Sequence, residues 1–124
     1  MSSERRSYPR YPVECAVDVI LAEPCTKPGY AASSANLSRT SMQIVCDADL
    51  VADLLRQQKL PYTCQLNFVL PWHEHTFNIP AHVVTQRRLS KQQYVLVLLL
   101  RHADVTQEDL LNDLLARMQP IGLD

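Results

Sequence analysis

The chain has 124 residues, of which 47% are hydrophobic, enough for one globular domain with a single core and too few for two. Its 12 Lys and Arg residues nearly balance its 13 Asp and Glu residues, so general affinity for nucleic acid polymers or anionic membranes is not expected. No apolar run reaches the roughly 20 residues of a membrane span, and the arginine-rich start lacks the apolar region of a signal peptide, so we expect a cytoplasmic protein.

The chain begins with a basic arm, which we place at residues 1–12. Three arginines lie along it: Arg5, Arg6 and Arg10. Pro9 and Pro12 fix their own φ and disfavour helix at the preceding residue, so we expect an open, flexible segment that is neither helix nor paired strand. Its guanidinium groups would be available to bind an anion, because arginine pairs bidentately with phosphate and stacks on flat rings. A solvated basic terminus is the alternative interpretation.

An alternating pattern begins directly after the arm. Apolar residues at every second position predict a strand over 13–21. Two prolines and Gly29 predict a hairpin turn, from which residues 30–35 return as a second strand that Asn36 ends. Residues 41–46 alternate again and predict a third strand.

The middle of the chain contains a short helix followed by a hairpin. Asp47 is the predicted cap of a helix over 48–59, because its carboxylate can accept the N–H groups of the first turn, and Pro61 ends this helix. Alternation over 62–70 predicts the next strand. The return strand places four apolar residues on one face: Phe77, Ile79, Ala81 and Val83. Pro80, on the other face, implies an edge position or a bulge.

The C-terminal third combines an apolar strand with an amphipathic helix. The run 94–100 is apolar on both faces, so we expect it to be covered on both sides. A variant capping box at Thr106 predicts a helix over about 106–118. Its apolar stripe either plugs one end of a barrel or lies on the outer face of the last strand; partner binding is the weaker alternative. About six short strands predict an all-β fold with helical additions, closed as an antiparallel barrel.

The sequence shows neither a metal-ligand pattern nor a catalytic pair. Its four cysteines lie far apart: Cys15, Cys25, Cys46 and Cys64. We interpret them as reduced thiols, mostly in phase with buried residues. His73 and His75 lack further ligands at a recognisable spacing and are better explained by an exposed turn. With no nucleophile and base pair visible, we expect no metal, no cofactor and no enzymatic activity.

A second polar motif, N-L-S-R-T-S at residues 36–41, lies between the second and third predicted strands. Together with the arm it resembles the signature of the PilZ family of bacterial cyclic di-GMP receptors, R-x-x-x-R followed by [D/N]-x-S-x-x-G. Four residues match: Arg6, Arg10, Asn36 and Ser38. Ser41 stands where the family has glycine.

The resemblance implies a fold and a function. The fold would be a six-stranded antiparallel PilZ-type β-barrel over residues 13–124, with a short inserted helix and a C-terminal α-helix, and the arm would wrap over its outer surface. The function would be that of a cyclic di-GMP receptor or adaptor, which changes the conformation of its arm on binding and regulates an unidentified partner protein. The alternative is a PilZ-fold interaction protein that binds the nucleotide weakly or not at all, which Ser41 favours.

The resemblance also assigns a role to each matched residue. Arg6 and Arg10 would contact phosphates and guanine edges, Asn36 a guanine edge, and Ser38 a phosphate or a backbone partner. Ordinary turn chemistry is the alternative role of Asn36 and Ser38. Ser41 would be strained in the positive φ that glycine permits at its position.

Further arginines extend the predicted site. Arg5 directly precedes the R-x-x-x-R motif, and in the family arginine at this position accompanies a mutually intercalated pair of ligands. The resemblance therefore implies two cyclic di-GMP molecules per chain. Arg39 lies inside the second motif and would add charge there, while Arg87 and Arg88 either lie near the same face or are solvated surface.

Overall fold

A computed structural model describes residues 8–22 and 27–123 of the chain. In chain order its elements are β1 (Pro9–Arg10), β2 (Ala16–Ile20), β3 (Tyr30–Leu37), β4 (Ser41–Asp47), α1 (Ala48–Leu54), β5 (Thr63–Val69), β6 (Thr76–Arg88), β7 (Gln93–Leu100), α2 (Val105–Leu115) and β8 (Gly122–Leu123). Six of these strands close into a barrel in the order β2-β3-β4-β7-β6-β5, and every neighbouring pair is antiparallel. The predicted six-stranded antiparallel barrel is confirmed.

The side chains at every second position of the barrel strands point inward and form the core, because successive side chains of a strand point to opposite faces. Leu66, Ile79 and Leu96 are completely buried inside it. Phe68 and Phe77 lie opposite each other on β5 and β6, and their rings stack with centroids 5.3 Å apart. The predicted alternation of apolar residues therefore corresponds to the inward faces of the strands.

Cys46 and Cys64 lie on these inward faces, Cys15 lies just before β2 and packs partly buried against the core, and all three are free thiols. Burial raises the pKa of Cys46 to about 11 and the pKa of Cys64 to about 12, because a thiolate loses solvation in the core. Burial also raises the pKa of Cys15, and the nearby Ser34 hydroxyl partly offsets this rise. Cys25 lies outside the described residues.

Helix α1 is shorter than predicted, ending at Leu54 instead of Lys59. Leu50 and Leu54 are buried, but Leu55 is half exposed and the polar residues that follow are exposed or, at Gln57, half-buried, so no apolar side chain holds a further turn against the barrel. Asp47 occupies the N-cap position as predicted, yet its side chain makes no capping hydrogen bond.

Helix α2 begins and ends slightly earlier than predicted, spanning Val105–Leu115. Its cap is Asp104, whose carboxylate accepts hydrogen bonds from the N–H groups of Thr106 and Gln107, so the capping box predicted at Thr106 is wrong. Three leucines on one face belong to the barrel core: Leu111, Leu114 and Leu115.

Helix α2 packs over the end of the barrel where β6 begins. The Gln107 side chain accepts from the N–H of Asn78 at 2.9 Å and donates to the Asn78 carbonyl at 3.1 Å. Of the two predicted placements, plugging a barrel end is therefore correct. In residues 8–22 and 27–123, no helix is both long enough and apolar enough to cross a membrane.

Strand β3 departs from the prediction made from the sequence. Strand β3 continues through Asn36 to Leu37, with a register shift between Ser34 and Asn36, so the prediction that Asn36 ends the strand is wrong. The shift is a bulge, which alternation of residue types does not reveal.

The two faces of β7 are covered unequally. Leu96 and Leu98 are fully buried, whereas Leu99 on the opposite face is 36% exposed, so the expected cover on both sides is incomplete. Pro80 of β6 lies one residue beyond the last pairing with β7, Ala81 opposite Leu100, and its carbonyl still accepts from the N–H of Arg101 at 2.7 Å, so the predicted edge position holds only at the end of this ladder.

Candidate functional site

The corner between β3 and β4 is a tight turn built around Ser38. The N–H of Ser38 donates to the carbonyl of Ser41 at 2.8 Å, and the Ser38 hydroxyl oxygen accepts from the N–H groups of Thr40 and Ser41 at 3.2 and 3.1 Å. Ser38 is completely buried. Its hydroxyl therefore stabilises the turn itself, which corresponds to the turn chemistry considered as the alternative to ligand contact.

The arm is paired on both sides where the structure describes it. Tyr11 and Leu37 exchange two backbone hydrogen bonds, of 2.9 and 3.0 Å, which attach the arm to the end of β3. β1 pairs with β8. The expectation of an unpaired arm is thus wrong for residues 9–11. Pro9 has no N–H group to donate, but the β1–β8 pairing uses the carbonyl of Arg10, which accepts from the N–H of Ile121.

Arg10 links the arm to the corner. Its Nε donates to the Asn36 side-chain oxygen at 2.8 Å, and Nη2 donates to the same oxygen. Its Nη1 donates to the hydroxyl of Ser41. Because 26 and 31 residues separate Arg10 from these partners, the contact joins the two halves of the sequence signature. Arg10, Asn36 and Ser41 are brought together as one cluster, which we call the corner cluster.

Ser41 takes part in this cluster without backbone strain. No residue other than glycine among those described has a positive φ, so the strain predicted at Ser41 is wrong. Ser41 is instead the first residue of β4, and its hydroxyl lies 3.3 Å from that of Ser38 and accepts from Arg10. Serine in place of glycine therefore adds a hydroxyl group that accepts a hydrogen bond from Nη1 of Arg10, so this N–H group is already engaged.

A groove on the outer face of the barrel begins beside the corner cluster. Asn36 donates from Nδ2 to the Gln43 side-chain oxygen at 3.3 Å, and Gln43 lies at the start of the groove. We call it the outer groove; its volume is about 490 Å³ and its lining residues are Gln43, Thr85, Gln86, Arg87, Val95 and Val97. Such a volume is within the range of small-molecule sites.

Strand pairing explains the composition of the outer groove. Gln43 pairs with Val97, which pairs with Thr85, and Arg87 pairs with Val95 one step further along the strands. Directly paired residues project from the same face of a sheet. The groove therefore has an apolar floor of two valines, polar walls, and the exposed cation Arg87 at its far end.

Arg88 does not share this face. It pairs with Tyr94 instead, and its Nε donates to the carbonyl of Ser90 at 3.0 Å within the β6–β7 hairpin. Of the two arginines whose position the sequence left open, Arg87 alone lines the outer groove.

Arg39 turns away from the corner cluster toward α2. Its Nε lies 3.2 Å from Glu108 Oε2, and its guanidinium lies 5.5 Å from the centre of the Tyr8 ring. The carbonyl of Arg39 accepts a hydrogen bond of 2.8 Å from His102 Nε2. The structure thus places Arg39 at the junction of the corner, the arm and α2.

Arg5 and Arg6 lie outside the described residues, so their predicted roles remain predictions. Sequence reasoning missed Gln43, Thr85 and Val97, because nothing in an alternating strand identifies which outward residues line a ligand groove. The pairing of β1 with β8 was also missed, because each of these strands has only two residues and so shows no periodic pattern. A pairing between the ends of a chain is visible only in three dimensions.

No protein-family model matches the sequence, and no curated protein matches it significantly. Three solved structures resemble its fold. An inhibitor of motility from Bacillus subtilis (MotI/DgrA) matches with a TM-score of 0.68 and 16% identity, covering 91% of this chain and 50% of that chain. The PilZ domain of YcgR from Escherichia coli, solved with c-di-GMP, matches with a TM-score of 0.63 and 15% identity over 92% and 91% of the two chains.

The third structure is the PilZ domain of CeSA from a cellulose-synthesizing bacterium, with a TM-score of 0.54 and 15% identity over 87% of this chain and 95% of that chain. The barrel, its strand order and these similarities define the class: the chain folds as a PilZ-type domain. It spans about half the length of the Bacillus subtilis structure.

Proposed function

We propose that this protein is a receptor for cyclic di-GMP whose ligand site is the corner cluster together with the outer groove. The observation that carries the proposal is the contact of Arg10 with Asn36 and Ser41, which joins the two halves of the PilZ signature on the barrel surface. A structural neighbour of the same fold, the PilZ domain of YcgR, was solved with c-di-GMP.

The chemistry of the site suits a ligand with two phosphates and two guanines. The Arg10 guanidinium can form paired hydrogen bonds with a phosphate or with the O6 and N7 edge of guanine. Asn36 has one accepting oxygen for the N–H groups of a guanine edge. Arg6, on the resemblance, supplies a second fork, and Ser38 acts by shaping the turn. Arg39 stabilises the corner through its ion pair with Glu108.

The outer groove would hold the part of the ligand that extends beyond the corner cluster. A purine ring is flat and largely apolar on its faces, so it can lie on Val95 and Val97. Arg87 stands at the end of this floor and is exposed, so it can pair with a phosphate. With Arg5 adding a further cation on the arm, the charge would suffice for two ligand molecules.

The proposed output is a change in surface, without catalysis. Ligand binding would change the conformation of the arm, because Arg10 must exchange its contacts with Asn36 and Ser41 for the ligand, and so alter what a partner protein meets there. One structural neighbour is described as an inhibitor of motility, which is consistent with an output that acts on a protein partner. The partner of this chain would contact the surface formed by the arm and α2.

One observation favours the alternative function, that of a PilZ-fold interaction protein with little affinity for the nucleotide. Ser41 occupies the position of the family glycine and accepts a hydrogen bond from Arg10, so ligand must displace this contact. A measurement of thermal stability separates the two functions. Cyclic di-GMP should raise the melting temperature by several degrees when added well above its Kd, whereas GMP should not. No shift with cyclic di-GMP would select the interaction protein.

A further inference from the structure

The C-terminal segment reaches back to the arm. β8 pairs antiparallel with β1, with Pro9 opposite Leu123 and Arg10 opposite Gly122. The N–H of Ile121 donates to the carbonyl of Arg10 at 2.7 Å. We call the paired segments 9–10 and 121–123 the terminal ribbon.

Arg10 belongs to both the terminal ribbon and the corner cluster. Its backbone is tied to Ile121, while its side chain contacts Asn36 and Ser41. The next residue, Tyr11, is fixed to β3 by its two backbone hydrogen bonds with Leu37. The position of the Arg10 guanidinium therefore depends on a segment more than one hundred residues away in sequence.

We propose that the C-terminal segment is a positioning element of the ligand site, with the N–H of Ile121 as its decisive contact. This proposal rests on the proposed function. Fixing the backbone of a residue before binding removes part of the entropy loss that binding would otherwise require. The segment contributes no group to the ligand; it acts through Arg10.

The coupling must also work in the reverse direction. If the ribbon favours ligand binding, then bound ligand stabilises the ribbon by the same factor. Ile121 is 61% exposed and lies a few residues beyond α2, which is attached to the corner through Glu108 and Arg39. Ligand binding on the barrel is thereby transmitted to the exposed C-terminal segment, where a partner protein can detect it.

A pair of substitutions at one position isolates the contact. Ile121→Pro removes the N–H that bonds to Arg10, whereas Ile121→Ala shortens the exposed side chain and retains the N–H. We expect about a tenfold loss of cyclic di-GMP affinity in Ile121→Pro and wild-type affinity in Ile121→Ala, with both melting temperatures close to that of the wild type. Equal affinities of the two variants, with the wild type binding, would overturn the positioning role and leave the proposed function intact.

A second readout needs no ligand. The Nε–H of Arg10 donates to Asn36 at 2.8 Å, so its NMR signal should exchange slowly with water in the wild type and in Ile121→Ala when no ligand is added. We expect faster exchange in Ile121→Pro. Unchanged exchange in that variant would overturn the positioning role, and failure of the wild type to bind cyclic di-GMP would overturn the proposed function separately.

Discussion

Arg10 donates from Nε to the side-chain oxygen of Asn36 at 2.8 Å, although 26 residues separate the two in sequence. Two residues expected to bind a common ligand thus bind each other in the structure. The contact keeps the arm close to the barrel and leaves the guanidinium at the site. It also means that ligand binding is an exchange of partners, so affinity depends on what each contact of Arg10 contributes before the exchange.

The neighbouring arginines of β6 provide a matched test of the outer groove. Arg87 lines the groove, whereas Arg88 pairs with Tyr94 and donates to Ser90. Both side chains are exposed, so neither substitution by alanine should change stability much. We expect Arg87→Ala to weaken cyclic di-GMP binding about tenfold and to reduce its salt dependence, while Arg88→Ala binds as the wild type does. Equal affinities of the two variants in titrations at two salt concentrations would exclude the groove from the site.

Substitutions at Ser41 test whether its hydroxyl competes with the ligand. Ser41→Ala and Ser41→Gly both remove the acceptor that Arg10 now uses. Since the backbone at Ser41 has no positive φ, glycine should bring no additional benefit. We therefore expect both variants to bind cyclic di-GMP severalfold more tightly than the wild type, and to the same extent. Tighter binding by the glycine variant alone would point to a steric effect of the side chain.

The sequence predicted the barrel because Val17, Val19, Leu66 and Phe68 alternate regularly with polar residues, and burial selects that pattern directly. It predicted the two halves of the candidate site because Arg10 and Asn36 lie in short motifs. It did not predict that Ser41 is unstrained, since φ at a strand start is set by the register of β3 and β4.

Other features depend on contacts between distant segments. The shortening of α1 follows from the absence of a surface against which residues beyond Leu54 could pack. The outer groove and the terminal ribbon arise from pairings such as Gln43 with Val97 and Arg10 with Gly122. Residues of this kind carry no local signal, because their role is determined by what lies beside them in space.

The buried thiol of Cys64 should make stability depend on alkaline pH. Burial raises its pKa from 9.0 to about 12, so the folded state holds this proton more tightly than the unfolded state does. Its contribution is fully present below pH 9 and is lost as the pH rises toward 12, with a slope of at most about 1.4 kcal/mol per pH unit. Urea unfolding between pH 8 and pH 11 should show this decline in the wild type and a shallower one in Cys64→Ala. Parallel curves would show that the thiol is not responsible.

Arg5 should determine how many ligands are bound. Two stacked cyclic di-GMP molecules bring four phosphates into one site, and their repulsion requires additional positive charge. We expect the wild type to bind two molecules per chain and Arg5→Ala to bind about one, with binding retained. A stoichiometry of one in both proteins, measured by equilibrium dialysis, would leave Arg5 without a role in ligand binding.

The most direct test of the proposed receptor is a calorimetric titration of the wild type and Arg10→Ala with cyclic di-GMP. Each charge-assisted hydrogen bond of the lost guanidinium is worth about 1.5 to 3 kcal/mol, so the variant should bind roughly ten- to a hundredfold more weakly. Arg10→Lys retains the charge without the planar fork and should recover only part of this loss. Saturable heat in the wild type with this order of affinities is the predicted result; no heat in the wild type, or equal affinity in Arg10→Ala, would contradict the proposed site.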